Sequence, residues 1–244
     1  MKADTIHIGT SGWHYGHWKG PLYPENIPSN QYLSHYTANF STVEINNTFY
    51  KMPQEKTLRD WKKTASGDFI FSVKASRYIT HMKKLKDPHK PVANFLEKVS
   101  ILEKSLGPIL FQLPPNWGVN PDRLKSFLDT LPDGYRYAIE FRDPSWFDER
   151  VYNLLMERGA AFCIYDFDRR ESPREITADF IYIRLHGSDG PYRGKYSVQA
   201  LAGWAGALSA WVKDVSEIFV YFDNDESGFA PKDALLLKSM IEDR

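Results

Sequence analysis

Polar and ionisable residues gather where the short apolar runs of this chain end. Glu44 and Asn46 close one run, and Lys74 and Ser76 close the next. Gln112, Glu140 with Arg142, and Arg184 with His186 close three more. Asp223 and Asn224 end the last run on opposite faces of an extended chain, so the sequence leaves open which one points inward. Carboxylates, an imidazole and three cations make a set suited to proton transfer on an anionic substrate. Glu44 or Glu140 would act as general base or acid, tuned by the cations and by partial burial. His186 would be the second proton carrier, since its reference pKa lies near neutrality. Lys74, Arg142 and Arg184 would hold the anion, with Gly187 opening a loop whose backbone N–H groups face it. The competing reading pairs Glu44 with Lys74, and Glu140 with Arg142 or Arg184, as a purely structural plug. Buried ion pairs are weak stabilisers, which favours the ligand site.

A second layer lies in the segments after those runs. Trp13, Tyr50 and Trp146 stand at loop positions and would stack on a ring of the ligand. Their alternative is packing against a neighbouring helix. His81, Gln112 and Asn224 would complete the pocket wall. From Lys74 to Lys90 the chain carries six basic residues against one acid, Asp87, a local phosphate-facing patch or a solvated loop. Other chemistries lack their signatures: there is no H-E-x-x-H and no G-x-S-x-G. A metal held by His14, His81, His186, Glu44 and Asp223 can be drawn, but no local spacing supports it. The expectation is therefore a site with no metal and no cofactor. Cys163, inside an apolar run, reads as inert core, and His7 as a structural residue at the opposite end of the strands.

These positions need strands to carry them. Runs rich in β-branched and aromatic residues predict strands over residues 6–9, 42–46, 69–76, 108–114, 136–143, 160–166, 180–187 and 217–224. Their near-continuous apolarity suits a parallel sheet covered on both faces. Helical spacing predicts helices over 91–106, 121–131, 146–158, 198–212 and 232–241. Asn120 with Pro121 gives one of them an N-cap, and Gly159 gives another a C-cap. Eight strands alternating with helices over 244 residues predict a single (β/α)8 TIM-like barrel spanning 1–244. An open doubly wound sheet is the runner-up. Only residues 167–179 separate the sixth and seventh strands, so the sixth helix should be short or missing. In a barrel of this kind the polar strand ends would share the C-terminal mouth.

Composition trims the remaining classes. Lys plus Arg and Asp plus Glu both number 31, so a globally basic nucleic-acid coat is excluded while a local patch is not. One cysteine excludes an internal disulfide and multi-cysteine metal sites. No apolar signal segment or membrane-length run occurs, and the expectation is a cytoplasmic protein with no membrane partner.

The chain resembles the YecE-like domain-of-unknown-function family, number seventy-two in that series. The resemblance rests on Gly9-Thr10-Ser11-Gly12-Trp13, Val43-Glu44-Ile45-Asn46, Lys74-Ala75-Ser76 with Thr80-His81, and Gln112-Leu113-Pro114-Pro115. It continues through Glu140-Phe141-Arg142 with Pro144-Ser145-Trp146, then Arg184-Leu185-His186-Gly187 and Tyr221-Phe222 with Asn224. It implies a TIM-like barrel and no secure activity; likeness to metal-dependent endonucleases is fold-level analogy. Asp143 stands where His or Asn is expected, and Asp223 where Asn is expected. The leading expectation is a metal-independent enzyme acting by acid/base chemistry on a phosphate-bearing substrate: a nucleotide, nucleic acid or sugar phosphate. One alternative is glycoside hydrolysis by Glu44 and Glu140. The other is a binding protein for nucleic acid or another ligand, without chemistry.

Overall fold

In the computed structural model, which describes residues 5–65 and 67–243, the apolar runs form eight parallel strands. They are β1 (Ile6–Thr10), β2 (Thr42–Ile45), β3 (Ile70–Lys74) and β4 (Leu106–Gln112). The second half supplies β5 (Tyr137–Glu140), β6 (Ala161–Phe167), β7 (Phe180–Leu185) and β8 (Glu217–Phe222). The sheet runs β1-β8-β7-β6-β5-β4-β3-β2. Its two ends meet through a parallel bridge between Ser11 and Glu44, so the barrel is nearly closed. Gly9 permits that closure: a Cβ there would stand 2.3 Å from the Thr42 carbonyl oxygen.

Alternation along each strand sorts the side chains. On β7, Ile181, Ile183 and Leu185 pack outward, while on β8 Ile218, Val220 and Phe222 do the same. The inward rows hold Phe180 and Tyr182, and Phe219 and Tyr221, packed with Leu110, Ala138, Ala161 and Cys163 inside the barrel. Tyr221 ties this middle layer together by hydrogen bonds to Thr42 and Ser72, each 2.7 Å. Continuing the inward rows places Arg184, His186 and Asp223 at the mouth.

Among the described residues seven α-helices cover the outside: α1 (Tyr32–Thr37), α2 (Glu55–Thr64), α3 (His89–Val99), α4 (Pro121–Leu128), α5 (Glu149–Arg158), α6 (Val198–Trp211) and α7 (Phe229–Glu242). α4 is capped by Asn120, whose side chain accepts from Arg123 N at 2.9 Å. α5 ends at Gly159 in the left-handed conformation, φ 65°. α3 ends seven residues short of the predicted end, and the chain runs on as a 3-10 segment, Ser100–Ser105, in which Glu103 takes φ 52°. Among the described residues no helix joins β6 to β7. A two-residue ribbon, Arg170–Glu171, turns the chain back along β6. There Ser172 and Thr177 accept the backbone N–H groups of Tyr165 and Phe162. No helix of the described residues is long and apolar enough to cross a membrane.

Candidate functional site

Arg184 stands at the centre of the mouth, 1% exposed, with carboxylates on three sides. Its Nε donates to both oxygens of Glu44 at 3.2 and 3.0 Å, and its Nη2 to Glu44 Oε1 at 2.9 Å. Nη1 reaches Glu140 Oε2 at 3.0 Å, and Nη2 reaches Asp223 Oδ2 at 2.9 Å. Ser11 and Tyr182 complete the shell of Glu44 as hydroxyl donors. Glu140 accepts from Gln112 Nε2 at 2.7 Å and from Arg142 Nε. The guanidinium thus fills the centre that the carboxylates surround. Among the described residues no three His, Cys, Asp or Glu side chains are grouped to hold a metal ion.

Burial alone would raise the Glu44 and Glu140 carboxyls, but Arg184, and Arg142 at Glu140, hold both below the usual carboxylate range. Both stay ionised and neither is fit to be a general acid. His186 is fully buried. Its Nδ1–H donates to the Asp166 carbonyl at 3.0 Å, leaving the Nε2 lone pair for Arg142 Nη2 (3.0 Å) and Arg184 Nη1 (2.9 Å). Burial, then Arg184 and Arg142, hold this imidazole well below its usual pKa. It is a neutral acceptor that orients two guanidinium groups. The Arg142 Cζ sits 3.9 Å from the Phe167 ring centroid, and its Nη1 makes no hydrogen bond among the described residues.

Two groups at the edge of this frame are less firmly fixed. The Asp223 side chain is 15% exposed, and burial pushes its carboxyl up to about 6 against the pull of Arg184. Lys74 is 9% exposed, and burial followed by the Arg184 charge pushes its amine down to about 8. Lys74 Nζ sits 4.6 Å over the Phe49 ring and forms no ion pair or hydrogen bond among the described residues. His81, half-buried, meets the same ring edge-on at 5.0 Å and donates to or accepts from Thr80 Oγ1 at 2.9 Å. It lies in a π-type turn, Tyr78–Met82. Beyond that turn Lys84, Leu85 and Asp87 all take positive φ, a conformation held by the buried Leu85.

Four expected positions fall elsewhere. The Trp13 ring is buried against Trp61 and Phe71, where an indole filling the space under α2 excludes more water than one at the mouth. Trp146 is fully buried, stacked on Phe141 at 4.9 Å, with its Nε1–H on the Trp117 carbonyl. Asn224 follows the outward parity of β8 and ties the Gly194 carbonyl to Asp233 of α7. Gly187 keeps φ 112° because a Cβ would collide with the Arg193 backbone, and its N–H is engaged by the Tyr196 hydroxyl. Tyr50 does reach solvent, 73% exposed at the rim beside Arg77. Beside the mouth, a cavity of about 510 Å³ opens between the β3 loop and α3, with Tyr78, Lys83, Lys90 and Lys98 in its wall. The sequence reading left open whether Asp223 or Asn224 points inward, and it did not single out Ser11 or Tyr182. Parity held the signal for Asp223: the row Ile218, Val220, Phe222 is wholly apolar and must face the helices.

A family model described as "Protein of unknown function DUF72" matches residues 7–244. The UPF0759 protein YecE of Escherichia coli K12 is 30% identical over 155 residues, 63% of this chain. The chain spans about half of that relative's length, 54%. The UPF0759 protein YunF of Bacillus subtilis is 25% identical, covering 97% of this chain and 94% of its own. A crystal structure of a DUF72 family protein from Thermotoga maritima superposes with a TM-score of 0.88 at 30% identity, covering 98% of this chain and 99% of the other.

Proposed function

The chain belongs to the DUF72 family, and from that premise we propose that the barrel mouth is the active site of an enzyme that moves protons on a small phosphate-bearing substrate. The observation that carries this reading is the pair at the frame's edge. Lys74 Nζ has no ion-pair or hydrogen-bond partner among the described residues and Asp223 keeps 15% of its side chain in solvent, while burial pushes the Asp223 carboxyl up to about 6 and the Lys74 amine down to about 8. A pair of groups pushed to opposite sides of the working pH is what acid/base catalysis requires. Asp223 and Lys74 therefore take the proton-carrying roles that the sequence reading gave to Glu44, Glu140 and His186. Those three, with Gln112, hold Arg184 and Arg142 in place. The unengaged Nη1 of Arg142 meets a phosphate oxygen as a charge-assisted donor. Glycoside hydrolysis by Glu44 and Glu140 is disfavoured, since both are held ionised and that chemistry needs one of the pair protonated.

The test is a thermal-shift panel pairing sugars with their phosphates and nucleosides with their nucleotides. Phosphate-bearing ligands at about 100 times their Kd should add roughly 2.7 kcal/mol, a rise of several degrees. The Arg142→Ala variant should lose most of that response. Equal stabilisation by neutral and phosphorylated ligands, or an undiminished response in Arg142→Ala, would reject the reading.

A further inference from the structure

We infer that Lys74 is a covalent nucleophile of this mouth, forming an imine with an aldehyde or ketone that carries a phosphate. The inference deepens the reading above and rests on the mouth being the place of reaction. Four observations converge on it. Lys74 ends β3 on the inward row of the barrel, directly after Ser72, which bonds Tyr221 in the layer below. Its Nζ rests against the face of Phe49, which shields it from water on one side. No carboxylate or hydrogen-bond acceptor among the described residues engages it, unlike Arg184. A lysine kept only for structure would be expected to close an ion pair in so acidic a neighbourhood. Finally, burial and Arg184 disfavour the protonated amine, while Glu140, Glu44 and Asp223 act on it with the opposite sign without touching it, so carboxylates stand near enough to offset the charge of an iminium.

The step balances with groups already present. The free amine lone pair adds to the carbonyl carbon, and one amine proton moves to the carbonyl oxygen to give a carbinolamine. Asp223, protonated, then gives its proton to that hydroxyl, which leaves as water. Nitrogen closes the C=N bond as the C–O bond breaks. Lys74 ends as an iminium cation and Asp223 as a carboxylate, so charge is conserved and no oxidant or reductant is needed. The substrate phosphate would sit on Arg142, which fixes the carbonyl end toward Lys74. An amine pushed down to about 8 has a free-base fraction at pH 7 roughly two to three hundredfold above that of an ordinary lysine.

The experiment uses the full chain with glycolaldehyde phosphate, and separately with glycolaldehyde, in the presence of cyanoborohydride. Adducts are located by peptide mass mapping. With the phosphate probe, Lys74 should be modified at least about tenfold faster than the exposed Lys51, and the Lys74→Arg variant, which keeps the charge, should show no preferred site. The neutral probe should modify Lys74 more slowly. Modification spread over exposed lysines with Lys74 unreacted overturns the imine, even if phosphate ligands still stabilise the protein. Equal rates with both probes at Lys74 keep the imine and overturn the phosphate reading of the mouth.

Discussion

The two ends of this barrel are both closed by charge, and they do it differently. At the bottom Glu217 accepts from His7 Nε2 at 3.0 Å and from Arg136, while His7 stacks on Phe219 at 4.8 Å. Each partner there keeps between 12 and 33% of its side chain in solvent, and each has its complement. The polar cluster at the strand C-termini thus has a small counterpart at the N-termini. At the mouth Glu44, Glu140 and Arg184 are at most 1% exposed and Lys74, Arg142 and Asp223 at most 15%, yet Lys74 and one arm of Arg142 are left without partners among the described residues. Charge at a barrel end marks only the need to finish a stack of side chains. Buried charge left incompletely engaged is what separates a candidate site from a lid.

The largest expected effect breaks the comparison by removing the cation at each end. Arg184→Met leaves Glu44 and Glu140 buried without their main partner and should cost about 3–5 kcal/mol in urea unfolding. Arg136→Met leaves Glu217 reachable by water and should cost under about 1 kcal/mol. Equal losses at the two ends would show that the mouth is no more demanding than the lid.

Acid titration sharpens the contrast, because the ends respond with opposite sign. Asp223 titrates at about 6 folded against 3.8 unfolded, so the native state holds the extra proton between those values. Its contribution therefore falls as pH rises from about 4 to 6. His7 titrates at about 4 folded, lowered by burial and then by Arg136, against 6.5 unfolded. There the unfolded state holds the extra proton, and the contribution rises with pH over nearly the same window. Relative to wild type, Asp223→Asn should steepen the loss of stability on acidification and His7→Phe should flatten it. Each change is on the order of 2 kcal/mol between pH 6 and pH 4. Slopes moving in the same direction would contradict the assigned environments.

How much of this was legible beforehand follows from what alternation can and cannot carry. The eight strands, their barrel order and the absent sixth helix lay in the apolar runs and their spacing. So did the convergence of Glu44, Lys74, Gln112, Glu140, Arg142, Arg184 and His186, since each ends a strand on its inward row. The helical spacing predicts neither α1 nor α2; α2 buries only Leu58 of its ten residues, too little pattern to read. The roles within the site were less legible, because they depend on who neutralises whom across the barrel. Arg184 meets Glu44 from 140 residues away, and no local spacing reports that it is already saturated. Trp13 and Trp146 show the matching limit for rings: a loop position in sequence does not say which side of the loop faces water.

The smallest effect is expected at the rim. Tyr50→Ala should change stability by no more than about 0.5 kcal/mol, as for other exposed side chains away from special features. If its ring stacks on ligand, the same variant should weaken the thermal response to nucleotides more than to sugar phosphates. A large stability loss would place Tyr50 in the packing and remove it from the rim.

The separation of 140 residues between Arg184 and Glu44 also has a kinetic meaning. β2 lies near the start of the chain and β7 near its end, and the barrel closes between β1 and β2 through the Ser11–Glu44 bridge. Until β1 through β8 have all been laid down, Arg184 has no carboxylate from β2 to meet, so the frame can form only after most loop entropy has been lost. The frame is then a latch that closes after the folding barrier. Weakening it through Glu44 should leave the folding arm of a chevron almost unmoved and raise the unfolding arm, so the mouth sets how long the barrel stays shut.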